Sequence, residues 1–196
     1  MTIPKDTIDS TYLSLDTFLK VYANIENGYK YEWNDGRVEK TKSMNQEQSL
    51  IQKILTRLFY TTRTSKEDGS FVAETDMKTG EKQLKRPDLA IYFGSQQKGL
   101  ANGENQIAPW IGEIISSSDN INYVNAKVDE YFAAGVKVVW HIFPASKQVY
   151  VYTASDQVKI CRGTEICSGK PAIEDFEISA NDLFAYQEQY SKKDSE

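Results

Sequence analysis

The stretch that most constrains this chain runs from Ile107 to Phe143. It opens on Ile107–Ile115, an apolar segment of strand length, and passes through the cluster Ser116-Ser-Ser-Asp119, whose side chains can cap a helix. Ile121, Val124, Val128, Tyr131 and Phe132 then recur at helical spacing, and Gly135 follows as a residue suited to ending a helix. Val136–Phe143 is a second apolar run, which reads as a buried central strand. Two strands joined through a helix lie parallel, because a tight turn can join only antiparallel neighbours. The expected fold is therefore α/β (α+β), a central mixed β-sheet flanked by helices, and a β-sandwich is excluded.

The flanking segments fit this frame. Ser14 is an N-cap candidate for a short helix carrying Leu15, Phe18, Leu19 and Tyr22. Asp35-Gly36 divides two alternating stretches in Tyr31–Glu39 and predicts a tight hairpin. Ser43 and Gln46 have capping-box spacing ahead of an amphipathic helix extending to about Thr62. Its stripe is Leu50, Ile51, Ile54, Leu55, Leu58 and Phe59. Ser70–Met77 and Pro87–Phe93 read as strands separated by a polar loop, Lys78–Arg86. Gly94–Gln106 reads as a long loop, and Val149–Thr153 pairs with the run from Val136. One domain over residues 1–190 is expected, with a flexible tail at 191–196.

Composition limits the function. The 28 acidic and 23 basic residues give a net charge of −5, which argues against a protein that coats nucleic acid by charge alone. No stretch approaches the roughly 20 apolar residues of a membrane span. The N-terminal MTIPKDTIDS lacks the apolar region of a secretion signal, so a cytoplasmic location is expected. There Cys161 and Cys167 would stay reduced, although a cross-strand pair is possible. The single histidine, His141, lies inside an apolar run, which argues against zinc hydrolases and Cys-His or Ser-His nucleophilic chemistry.

The acids carry the clearest chemical signal. Glu113 lies inside Ala108-Pro-Trp-Ile-Gly-Glu-Ile-Ile, where a lone carboxylate is costly unless paired, protonated or bound to a metal. Asp88 opens the apolar strand Leu-Ala-Ile-Tyr-Phe. Two acids at strand ends, followed by a lysine-bearing helix, suggest an oxygen-ligand site for Mg²⁺ or Mn²⁺. Glu47 falls near the middle of the long helix's apolar stripe. It either points toward the core or simply favours the positive end of the helix dipole.

Arg86-Pro87-Asp88 followed by Glu113-Ile114-Ile115-Ser116 resembles the PD-(D/E)XK nuclease superfamily. More specifically, it resembles the Uma-type bacterial family of restriction-endonuclease-like proteins. The likeness extends through the Glu32…Asp35-Gly36 hairpin, the helix from Gln46, Asp119, Lys127, Tyr131, Gly135-Val136…Trp140, and Phe176-Glu-Ile-Ser…Leu183-Phe184. It implies a restriction-endonuclease-like fold in which Asp88 and Glu113 bind a metal, with the Ile114 carbonyl as a third ligand. The superfamily lysine slot, two residues after the glutamate, holds Ile115, and Lys127 on the following helix would replace it. The acid contributed by the long helix would be Glu47, with Glu74 the alternative. Phe143 stands where the family commonly has an aspartate.

The segment before Asp88 carries Lys78, Lys82, Lys85 and Arg86, which would hold DNA phosphates near the metal or else form a solvated hairpin tip. Two functions follow. One is a metal-dependent DNA endonuclease, expected by family analogy to be a homodimer. The other is a catalytically inactive scaffold that keeps the fold.

Overall fold

Asp35 and Gly36 adopt φ of 45° and 83°, the paired positive values that let two residues reverse the chain between β1 (Tyr29–Asn34) and β2 (Arg37–Lys42). The computed structural model describes residues 12–22, 25–116, 119 and 121–186; the expected tail at 191–196 lies outside them. The remaining strands are β3 (Ser70–Ala73), β4 (Met77–Gly80), β5 (Gln83–Lys85), β6 (Leu89–Tyr92), β7 (Trp110–Ile114), β8 (Val138–Phe143), β9 (Gln148–Ala154), β10 (Gln157–Arg162), β11 (Ile166–Ser168) and β12 (Glu177–Ser179). The helices are α1 (Leu15–Tyr22), α2 (Gln46–Phe59), α3 (Arg63–Lys66), α4 (Gln97–Ala101), α5 (Ile121–Ala134) and α6 (Ala180–Phe184).

The principal sheet has six strands in the order β10-β9-β8-β7-β6-β3. Only β7 and β8 are parallel, joined through α5 as the apolar-helical-apolar pattern requires. On one face Trp110, Trp140 and Phe176 pack with ring centroids 5.1–5.4 Å apart, against Ile51, Leu55 and Phe59 of α2 and Leu183 and Phe184 of α6. Ala90, Ile111 and Val139 line the opposite face beneath Tyr131 of α5. A second sheet, ordered β2-β1-β5-β4, packs Tyr31, Trp33 and Leu84 against Phe18 of α1. Ser14 caps α1 as expected, its Oγ accepting from the Thr17 amide at 3.2 Å.

Several boundaries differ from the sequence reading. The α2 capping box is formed by Asn45 and Gln48 rather than Ser43 and Gln46, and the helix ends at Phe59. The buried stripe is centred on Ile51, Leu55 and Phe59, with Leu50, Ile54 and Leu58 at its flank, so Gln48 faces inward while Glu47 is exposed. Lys78–Arg86 is a β-hairpin rather than a polar loop, because Leu84 has a core to fill and β1 has a free edge to pair. The strand expected over Ser70–Met77 breaks at Glu74, where φ is 47°, and its two ends join different sheets. The loop Gly94–Gln106 contains α4. Residues 117 and 118 of the expected helix cap lie outside the described residues; Asp119 accepts from the Ser116 amide at 2.7 Å.

Candidate active site

Strand β1 is buried on both faces. Tyr31 and Trp33 fill the small sheet's core, so alternation turns Lys30 and Glu32 the other way, toward α5 and the principal sheet. Arg86-Pro87-Asp88 then carries the chain from the small sheet into β6. Leu89 lies opposite Gly112, which sets Asp88 beside Glu113 at the end of the β6–β7 ladder.

Lys30 Nζ lies 2.5 Å from Asp88 Oδ1 and 3.7 Å from Glu113 Oε2. The Ile114 amide donates to Asp88 Oδ2 at 2.7 Å, and the Ile114 carbonyl accepts from Gln48 Nε2 at 2.9 Å. Lys127 Nζ spans Glu32 Oε1 at 2.9 Å and Glu113 Oε1 at 3.3 Å. The Tyr131 hydroxyl holds Glu113 Oε1 at 2.5 Å. Tyr123 donates to Glu32 and also lies 2.6 Å from Glu39 Oε2. Behind these, Lys85 pairs with Glu130 at 2.8 Å and Glu39 at 3.3 Å. Asp88, Glu113, Lys127, Lys30 and Glu32 are each no more than 5% exposed, so the charges neutralise one another instead of being solvated.

This pairing sets the protonation states. Burial disfavours the Glu32 carboxylate, but Lys127, Lys30 and Lys85 overcome it and bring its pKa down to about 2. Burial likewise opposes the ammonium groups of Lys30 and Lys127, yet the surrounding carboxylates raise both above the ordinary lysine value. At Asp88 burial dominates, helped by Glu113 and resisted by Lys30, and the pKa rises to about 6. Burial pushes Glu113 up as well, but Lys127 and Lys30 leave it below its ordinary value. The cluster borders a cavity of about 960 Å³ reached by Lys30, Asp88, Glu113, Lys127, Gln48 and His141.

The structure thus brings together Asp88, Glu113, Ile114 and Lys127 from the sequence-predicted set. Lys127, which helical phase set off the apolar stripe, is buried because α5 is covered by the small sheet as well as the large one. Glu47 and Glu74 do not join it. Exposed Glu47 accepts from the Tyr186 hydroxyl at 3.2 Å, and Glu74 accepts from the Met44 amide at 3.0 Å. Lys85 is fully buried in its ion network and so is not open to a phosphate, which corrects its reading as a DNA contact. Arg86 pairs with Asp76 at 2.7 Å; Lys78 and Lys82 are exposed, Lys82 lying 3.0 Å from Asp35. Lys30, Glu32, Tyr123 and Gln48 were missed as site residues. The available signal for the first two was Lys-x-Glu alternating with Tyr, Tyr and Trp on one strand.

Among the described residues no group of three or more His, Cys, Asp or Glu side chains converges as metal ligands. Two carboxylates and a backbone carbonyl nonetheless suit Mg²⁺ or Mn²⁺, which keep several waters and take phosphate oxygens as further ligands. The Lys30 ammonium against Asp88 and Glu113 marks a place where a cation is already stabilised.

Residues 15–181 match the Uma2 family, described as "Putative restriction endonuclease". The chain belongs to the Uma2 family. The fold of this Uma2 member is similar to that of a crystal structure described as "a putative nuclease belonging to DUF820" from Anabaena variabilis ATCC 29413. The TM-score is 0.75 at 19% identity, over 89% of this chain and 98% of that one. No curated protein matches the chain. Among the described residues no helix is long and apolar enough to cross a membrane.

Proposed function

We propose that this Uma2 protein is a metal-dependent DNA endonuclease that hydrolyses phosphodiester bonds. The observation that carries the reading is the pairing of Asp88 and Glu113 at adjacent strand ends, with Lys127 Nζ 3.3 Å from Glu113 Oε1, beside an open cavity. Asp88 and Glu113, with the Ile114 carbonyl, would hold Mg²⁺ or Mn²⁺. The bound ion would polarise the scissile phosphate and lower the pKa of an attacking water.

The chain's own groups have separate tasks. Lys127, fixed by Glu32 and Glu113, presents a permanent positive charge to the phosphate as negative charge grows on it. Tyr131 fixes the Glu113 rotamer, and Gln48 holds the Ile114 carbonyl in place. With a metal held by Asp88 and Glu113, Lys30 would be free to serve as a second phosphate partner. Lys78 and Lys82 at the hairpin are the exposed cations for backbone phosphates farther along the duplex. Two copies of the chain would supply one site for each strand.

Nicking of supercoiled plasmid in Mg²⁺ or Mn²⁺ by wild type and Asp88→Ala tests the reading. Cleavage by wild type alone, abolished by chelator, is expected. Equal cleavage by both proteins would mark a contaminant. Its absence from both would favour the scaffold function instead.

A further inference from the structure

His141 is a fully buried polar side chain bordering the cavity to which the proposed mechanism gives no task. His141 sits on β8 directly opposite Glu113 on β7, and Asp88 adjoins Glu113 from the β6 side. Strand alternation puts all three on the face that also carries Ala90, Ile111 and Val139, so they form one row across three neighbouring strands. His141 is fully buried yet borders the cavity, and neither imidazole nitrogen has a hydrogen-bond partner among the described residues. The ring packs edge-on against Tyr152 at 5.0 Å and Phe143 at 6.3 Å between centroids. A phenyl ring would fill that aromatic niche without stranding two polar atoms, and buried polar groups are seldom left unpaired. An orphaned imidazole beside two carboxylates and a cavity has an explanation if its partner arrives with the substrate.

We infer that His141 is a further catalytic residue, one of whose unpartnered ring nitrogens accepts a hydrogen bond from the attacking water and orients it toward the phosphorus. This rests on the nuclease reading. The charged groups nearest His141 are poorly suited to the task. Lys127 is a donor already held by two carboxylates, and Asp88 and Glu113 are engaged by lysines or a metal. A neutral imidazole carries one acceptor nitrogen, and both ring nitrogens of His141 are without a partner among the described residues.

His141 is the chain's sole histidine, so its ring nitrogens give unambiguous signals in long-range ¹H–¹⁵N NMR. The probe is Mg²⁺ with a phosphorothioate-linked DNA duplex that resists cleavage. A shift of the His141 nitrogen signals of several ppm on adding both is expected, with little change on adding either alone. His141→Phe should melt at a higher temperature than wild type, bind the duplex within about twofold, and cleave with a kcat roughly 10²-fold lower. His141→Gln, which keeps an acceptor, should recover part of that loss. Unmoved nitrogen signals with bound duplex, or wild-type kcat in His141→Phe, would overturn the role of His141 while leaving the nuclease standing. Failure of wild type to bind or cut DNA with either metal would overturn the nuclease reading, and His141's role with it.

Discussion

The Lys30 ammonium lies 2.5 Å from Asp88 Oδ1 and 3.7 Å from Glu113 Oε2, the position that a cation shared by these two carboxylates would take. A divalent ion bound as proposed would have to displace a charge-assisted hydrogen bond. Such bonds contribute about 1.5–3 kcal/mol. Lys30→Gln is expected to tighten Mg²⁺ or Mn²⁺ binding about ten- to hundredfold, measured by titration calorimetry. Unchanged affinity would mean that the lysine does not compete for the site.

Lys85 and Lys78 belong to one hairpin but differ in role. Lys85→Met strips the counter-cation from Glu130 and Glu39 in a buried network, a change that typically costs about 3–5 kcal/mol. A fall in Tm of roughly 10 °C is expected. Lys78→Ala, on the exposed edge, should leave Tm nearly unchanged. It should instead reduce the salt dependence of DNA binding by about one phosphate contact. Equal melting of the two variants would contradict the buried network.

Glu32 links acidity to folding. Its pKa falls from 4.5 in the unconstrained side chain to about 2 in the fold. A depressed carboxyl stabilises the folded state fully above pH 4.5, and the contribution is lost as pH falls toward 2. The stability difference between wild type and Glu32→Gln should therefore be largest near neutrality and close across that window in urea titrations. A pH-independent difference would mean that ionisation of Glu32 does not contribute.

Tyr131→Phe removes the 2.5 Å hydrogen bond to Glu113 Oε1 without changing the ring. A loss of about 1.5–3 kcal/mol in denaturant unfolding is expected. A neutral result would mean that Lys127 alone holds Glu113 in place.

The sheet and half of the site were legible because they rest on local pattern. The apolar runs either side of α5 declare the parallel pair, and Glu113 stands out as a charge within one of them. Lys127 could be placed on its helix but not buried, since its burial depends on the small sheet covering α5 from a second side. Of the two readings of Glu47 the exposed first-turn acid holds, because the buried stripe is centred on Ile51, Leu55 and Phe59 and brings Gln48 inward instead. Lys30 and Glu32 were overlooked because alternation shows that they share a face without showing what that face meets. Lys85 looks like any hairpin lysine until Glu39 and Glu130 close around it.

The crossing at Arg86-Pro87-Asp88 has a consequence for how the protein can change. The acids Asp88 and Glu113 belong to one sheet, while Lys30, Lys85 and Glu32 belong to the other, with Lys127 between them on α5. Asp88 and Glu113 find their cations outside their own sheet, in Lys30 and Lys127, so this pair cannot be buried at balanced charge until the small sheet and α5 have docked. The buried ion cluster is therefore also the seam that joins the two layers. A substitution at this seam would act at the same time on the lining of the cavity and on whether the layers stay together.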